Sequence, residues 1–353
     1  MANYSVIDGD GHVREAMPAI AKLMGPLGKR RNLTTADAWD RQIQDTLGQK
    51  PASPQDQIAA MDQDGIDVMV LYPTGGLGIG LIAEEHYATA LASAYNTWLH
   101  EFCQANPERL KMVALVAPQD LESAVAELRR AVTELGAVAA MLPTHIPLRP
   151  DWGHRYWDPF YAEAARLDVA LAFHHKSVHG ELTDQRFNNF ITVHTIGHPV
   201  EQMMSLTSVI VGGVWERFPT LRIAFLEGGV GWVPYWMDRM DEEVEKRGAA
   251  EAPYLTKLPS EYIKSGLCYF GVECEEKTIP DGVRWGLEDT LLYSSDYPHW
   301  DGDWPHTVRA VRERTDMTED VKRKMLHDNA ARFYKLAEAA TGSAAGAQVA
   351  AAR

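Results

Sequence analysis

Thiols are scarce in this chain. Cys103, Cys268 and Cys274 are the only cysteines among 353 residues, and no two of them form a C-x-x-C pair. That excludes a disulfide framework and a thiolate zinc site. Basic charge is also short: 34 lysines and arginines face 49 aspartates and glutamates, for a formal net charge of −15. This balance argues against nucleic acid or an anionic membrane as a partner held by bulk charge. No apolar run is long enough to span a bilayer, and no basic and apolar leader pattern opens the sequence. The expectation is a cytoplasmic protein with no membrane partner. A G-x-G-x-x-G after a strand and a P-loop are both missing, which disfavours a nucleotide-binding sheet.

What is present is core-forming material. Hydrophobic residues make up 46% of the chain, enough for one large α/β domain or two ordinary ones. The first strand is Tyr4-Ser5-Val6-Ile7-Asp8-Gly9-Asp10-Gly11-His12, an apolar run that ends abruptly in acidic, glycine and histidine residues. Side chains on a strand alternate faces, so Asp10 and His12 point the same way and form a potential metal-binding pair. Further strands are expected at Ile66–Tyr72, Leu110–Ala117, Ala137–Leu142, Val169–Phe173, Leu221–Leu226, Leu267–Val272 and Thr290–Ser294. Helices fill the gaps: one capped by Ser53-Pro54 and stopped by Gly65, then Glu84–Asn106, one capped by Asp120, Asp158–Leu167, His198–Val214 and a closing helix over 318–338. Eight strands alternating with helices predict an α/β fold, a (β/α)8 TIM barrel, with a doubly wound sheet as the competing architecture. The barrel is expected to occupy 1–338 as a single domain. An insertion falls at about 13–52, and the Ala-rich stretch 339–353 reads as a disordered tail.

Catalytic groups of such a barrel sit at the C-terminal ends of its strands. Here those ends carry Asp10 and His12, His174 and His175, Glu227, and Asp296, with His198 following strand five. Each has a bland reading singly: a turn aspartate, a carboxylate paired with a buried arginine, a satisfied core histidine. Together at one rim they are metal-ligand types of the right number. The run His299-Trp300-Asp301-Gly302-Asp303 could lie over the site or form a solvated loop, and His145 is left unplaced.

Several stretches resemble the amidohydrolase superfamily, in the amidohydrolase-2 branch that includes the aminocarboxymuconate-semialdehyde and γ-resorcylate decarboxylases. They are Val6–His12, Met61-Asp62-Gln63-Asp64-Gly65-Ile66-Asp67, Tyr95-Asn96-Thr97-Trp98, Gly213–Pro219, Leu226–Trp232 and Ser295-Asp296-Tyr297-Pro298-His299. The likeness extends over about residues 4–336. It implies the metal-dependent barrel, with Asp10, His12, His174 and Asp296 at the metal positions and His175 as a register alternative to His174. Two departures stand out: the first pair is Asp-x-His, and Glu227 replaces the histidine that the decarboxylases carry on strand six. Glu201, in His198-Pro199-Val200-Glu201, matches a glutamate that supports that missing histidine.

Asp10, His12, His174, His198, Glu227 and Asp296 offer three carboxylates and three imidazoles, enough for two divalent metals sharing a bridge. Iron or manganese suits this set and zinc is tolerated. The pattern is similar to that of the amidohydrolase-fold dinuclear iron/manganese oxygenases, such as the α-aminoisobutyrate hydroxylase system. The leading expectation is therefore O2-dependent hydroxylation of a small carboxylate or amino-acid-like substrate. Asp10, His12 and Asp296 would then hold one metal and His174 and His198 the other, bridged by Glu227. The alternatives are a metal-dependent hydrolase or non-oxidative decarboxylase, and a non-catalytic partner subunit. Asp296 and Glu227 are the candidate catalytic carboxylates, and His175 and Glu201 are placed around the metal or against substrate. A homo- or hetero-oligomer is implied by the resemblance alone.

Overall fold

The computed structural model describes residues 4–29, 53–147, 149–176 and 186–336. Its framework is eight strands in chain order: β1 Ile7–Val13, β2 Val68–Pro73, β3 Leu110–Leu115, β4 Ala139–Pro143, β5 Ala170–His174, β6 Ile223–Phe225, β7 Cys268–Glu273 and β8 Leu291–Ser294. Each pairs in parallel with the next, giving one eight-stranded sheet with the order β1 to β8. The ends of that sheet meet. The Ser294 hydroxyl donates to the Asp10 carbonyl at 3.0 Å, and the His12 N–H donates to the Tyr297 carbonyl at 2.7 Å. The result is a nearly closed (β/α)8 barrel, as expected.

The helices follow from local signals. The helix α1, Met17–Leu23, packs just after β1. Next, α2 (Pro54–Asp64) starts where the Ser53 side chain accepts the Asp56 N–H and stops at Gly65, whose φ is +85°. The long α3, Glu85–Cys103, buries Tyr95, Trp98 and Phe102 on one face. In α4, Leu121–Thr133, Asp120 caps the Ser123 N–H, and α5 covers Asp158–Leu167. The outer layer continues with α6, Phe190–Val211, and α7, Val233–Glu251.

Two boundaries differ from expectation. The helix α6 begins at Phe190 rather than His198, because Asn189 caps the Thr192 N–H and Pro199 is carried inside the helix. The closing helix is broken into Glu319–Arg323, a π-helical turn at Lys324–Asp328 and Asn329–Tyr334. Most of the insertion, 30–52, and the tail from 337 lie outside the described residues. No helix among the described residues is long and apolar enough to cross a membrane.

Candidate active site

Strand β1 delivers two polar side chains to the end of the barrel, helped by a register irregularity against β2 between Asp8 and Gly11. The His12 Nδ1 lies 2.9 Å from the Pro73 carbonyl oxygen. A carbonyl only accepts, so Nδ1 carries the hydrogen and Nε2 points its lone pair at the site. Strand β5 repeats the device: the His174 Nδ1 lies 2.9 Å from the His175 carbonyl oxygen. The two Nε2 atoms are 3.2 Å apart. Asp10 sits beside them, with Oδ1 at 3.7 Å from the His12 Nε2 and 3.6 Å from the His174 Nε2. All three side chains are fully buried, and neither Asp10 oxygen has a hydrogen-bond partner.

A buried carboxylate without donors is unfavourable unless a cation faces it. Without a metal, a proton must serve that purpose. Burial works against a charged His174, but the Glu227 and Asp10 carboxylates outweigh it and lift the group to about 10. Burial, reinforced by His299 and His174, pushes His12 down to about 4. A divalent ion would satisfy both imidazole lone pairs and the Asp10 oxygens at once. The second hydrogen bond of each ring, to a backbone carbonyl, is the support that orients metal-binding histidines. The donor set present therefore fits a metal of the manganese, iron or zinc class.

The other side of the site comes from turns. Glu227 and Asp296 each sit two residues past a strand, β6 and β8, with φ of +53° and +52°. Side-chain-bearing residues rarely adopt this left-handed conformation, which here aims both carboxylates inward. The Glu227 Oε1 lies 3.3 Å from the Nε2 of both His12 and His174, while its Oε2 lies 3.1 Å from the His198 Nδ1. Burial opposes a charged Glu227, but the surrounding histidines hold it well below the usual carboxylate range. The Asp296 Oδ1 is 3.5 Å from the His12 Nε2 and 2.6 Å from the His299 Nδ1. Burial, aided by the Glu227 charge, pushes Asp296 well up despite His299.

The expected partition put His12 and His174 on different ions; in the structure their Nε2 atoms lie 3.2 Å apart. The Nε2 of His174 is as close to that of His12 as two ligands of one centre, and His198 touches the remote oxygen of Glu227. His174 rather than His175 faces the centre. The His175 Nδ1 is 3.1 Å from the Thr144 hydroxyl, and its ring meets His198 edge-on at 4.9 Å. Glu201 is buried on α6, where burial raises its carboxyl against a hydrogen bond with Thr144.

Two residues were not singled out for the site from sequence. His299 joins His12, Glu227 and Asp296 in one cluster of potential ligand atoms, and its ring lies over His12 at 4.0 Å between centroids. Its signal was its position three residues past Asp296, one turn away. His194 precedes His198 by four residues on α6, which puts both rings on one helix face, 4.6 Å apart.

A family model described as Amidohydrolase matches residues 7–336. The chain belongs to the amidohydrolase-2 family. It is 26% identical to the 2-amino-3-carboxymuconate-6-semialdehyde decarboxylase of Dictyostelium discoideum over 80% of this chain and 77% of that protein. It is 25% identical to a gamma-resorcylate decarboxylase of Polaromonas sp. over 79% of this chain and 86% of that protein. Among solved structures, the 5-carboxyvanillate decarboxylase of Novosphingobium aromaticivorans superposes with a TM-score of 0.72 at 24% identity, covering 94% of this chain and 97% of that one. These amidohydrolase-2 relatives are decarboxylases, which overturns the expectation of O2-dependent hydroxylation. That expectation rested on counting ligand types, and a count does not distinguish one centre with flanking carboxylates from two centres.

Proposed function

We propose that this amidohydrolase-2 protein is a divalent-metal-dependent, non-oxidative decarboxylase of a small carboxylic acid. The observation that carries this reading is the convergence of the His12 and His174 Nε2 atoms, 3.2 Å apart, on the donor-free carboxylate of Asp10. The decarboxylase relatives support the reaction class. Asp10, His12 and His174 would hold the metal, with Asp296 at its edge. The 5-carboxyvanillate decarboxylase has bound manganese, and the oxygen and nitrogen donors here suit the same ion, with zinc tolerated. When bound, the metal supplies a Lewis acid that polarises a substrate oxygen and steadies negative charge.

This chain's own residues do the rest. Asp296 stands beside the cleft, where its carboxyl carries a proton for the reaction, its Oδ1 2.6 Å from the His299 Nδ1. It delivers that proton to the carbon that loses CO2, and His299, bonded to its Oδ1, orients it. Glu227 ties His198 to the centre. The same proposal keeps 1–338 as one barrel domain. The exposed Ile191, Met204 and Tyr235 on α6 and α7 support an assembly of more than one chain, which light scattering would test.

The function test is CO2 release from a panel of small aromatic and unsaturated carboxylic acids, by protein stripped of metal and then reloaded with manganese. Release that needs the metal and proceeds equally without O2 is the expected result. Silence of the fully loaded protein across the panel would overturn the decarboxylase reading.

A further inference from the structure

The cleft above the candidate metal centre has two lobes, with His194 and Asp301 bordering both. The smaller, about 80 Å³, is walled by Thr74, Lys176, Phe190, His194 and Trp300. The larger, about 320 Å³, is walled by Glu273, Glu275, Glu276 and Asp301 beside Gly228 and Gly229. Both open onto His198, Glu227 and Asp296. Among all the described residues lining the two lobes, Lys176 is the only lysine or arginine.

Lys176 is held where a substrate would meet it. It lies two residues beyond His174, and its stem passes over Gly78, where a Cβ would sit 3.7 Å from the Lys176 Cδ. Its Nζ lies 3.5 Å from the Thr74 carbonyl oxygen. The Thr74 hydroxyl is in turn 3.3 Å from the His299 Nε2, so this wall runs directly into the proposed proton-handling pair. The Phe190 ring, which lines the same lobe, stacks on His194 at 4.9 Å and meets Trp300 edge-on at 5.4 Å. The small lobe thus offers one ammonium, flat aromatic walls and the metal-ligand floor.

A carboxylate entering this cleft meets the candidate metal centre at its base and, among the described lining residues, one ammonium, Lys176. Burial, with Glu275 and Asp301 beside it, pushes Glu273 up to about 9, so the like charge that repels an anion from the larger lobe comes from Glu275, Glu276 and Asp301. We infer that Lys176 is the specificity-determining anchor for the substrate carboxylate, and that the acidic lobe restricts the enzyme to monocarboxylic acids by repelling a second carboxylate at the far end. This deepens the decarboxylase reading and rests on it for the meaning of the word substrate. The binding chemistry itself is tested without turnover.

The experiment uses the full-length chain loaded with manganese, as wild type, Lys176→Met and Lys176→Arg. Affinities for salicylate, neutral salicylamide and the diacid 4-hydroxyisophthalate are measured by titration calorimetry. Salicylate should bind wild type more tightly than either other probe. Lys176→Met should weaken salicylate by about 10- to 100-fold, the range for a charge-assisted contact. It should leave salicylamide and the metal content unchanged, and Lys176→Arg should restore most of the loss. An equal loss for salicylate and salicylamide, no loss at all, no salicylate binding to wild type, or a diacid that binds as tightly as salicylate would each overturn the inference. If the binding pattern holds while no acid in the panel loses CO2, the inference stands and the decarboxylase reading fails.

Discussion

The two sides of this site are built on different principles. Asp10, His12 and His174 stand on β1 and β5, fully buried, and each histidine is locked by a bond from Nδ1 to a backbone carbonyl. Glu227 and Asp296 stand beyond their strands on turns with φ near +50°, a conformation that costs about 1–3 kcal/mol at a side-chain-bearing residue. The strand-borne side has the rigidity that metal ligation requires. The turn-borne side accepts backbone strain to bring two carboxylates within 4.8 Å of each other and against His198 and His299. Under the proposed function, ligation and proton handling would thus be divided between a relaxed scaffold and a strained one.

The largest expected effect comes from breaking the rigid side. His174→Ala removes a strand-borne donor, and both metal retention and activity should be lost, because no neighbouring side chain can take over a position fixed by the β5 ladder. Metal content after dialysis is the direct readout. A full metal complement in this variant would move the centre toward His299 and dissolve the division. Asp296→Asn attacks the other side. It should lower turnover by about 10²- to 10⁴-fold, the range for a proton-transfer group, while metal is retained and the far-ultraviolet circular dichroism is unchanged. An active Asp296→Asn variant would remove it from the chemistry.

A smaller effect distinguishes the sides by pH. In the metal-free protein His12 is held at about 4 by burial, against 6.5 for an exposed histidine. Between those values the unfolded chain takes up a proton that folded His12 refuses. Its contribution to stability is therefore complete above pH 6.5 and drains as the pH falls to 4. The gap corresponds to about 3 kcal/mol. Asp8, raised to about 7 mainly by its burial, runs the opposite way over much of the same window, losing stability as the pH rises. Urea unfolding of metal-free wild type and His12→Gln from pH 4 to 7 should show the variant losing less stability on acidification. Parallel curves would mean that His12 titrates normally in the folded chain.

This division also explains what the sequence made legible. All eight strands were readable because each is an apolar run ending at a turn or polar residue. Asp10 and His12 were readable because alternation along a strand fixes direction, whereas His174 came from the family resemblance with His175 as its register alternative. Glu227 and Asp296 were recognised by type and position, but their left-handed backbone, and hence which atoms they touch, leaves no mark in spacing. His299 was left between site and solvent for the same reason: its role depends on the turn that folds it back onto Asp296. The start of α6 was hidden because Pro199 looks like a first-turn proline, although the helix carries it inside. The two-ion partition was a finer expectation than residue types carry, since they cannot state that two Nε2 atoms lie 3.2 Å apart.

The smallest effect tests the strain itself, away from the site. Gly65 closes α2 with φ of +85°, and a Cβ added there would meet nothing within 4 Å. Its N–H donates to the Met61 carbonyl at 2.9 Å, so the turn is hydrogen-bonded whichever residue occupies it. Gly65→Ala therefore isolates the backbone cost of a side chain in this region, and should destabilise the protein by about 1 kcal/mol without altering metal content or turnover. The shift in urea midpoint measures it. If the midpoint does not move, a positive φ is not costly in this barrel, and the values at Glu227 and Asp296 would no longer mark the turn-borne side as the strained one. A loss near the expected size would set a lower scale for what holding those two bulkier carboxylates inward costs.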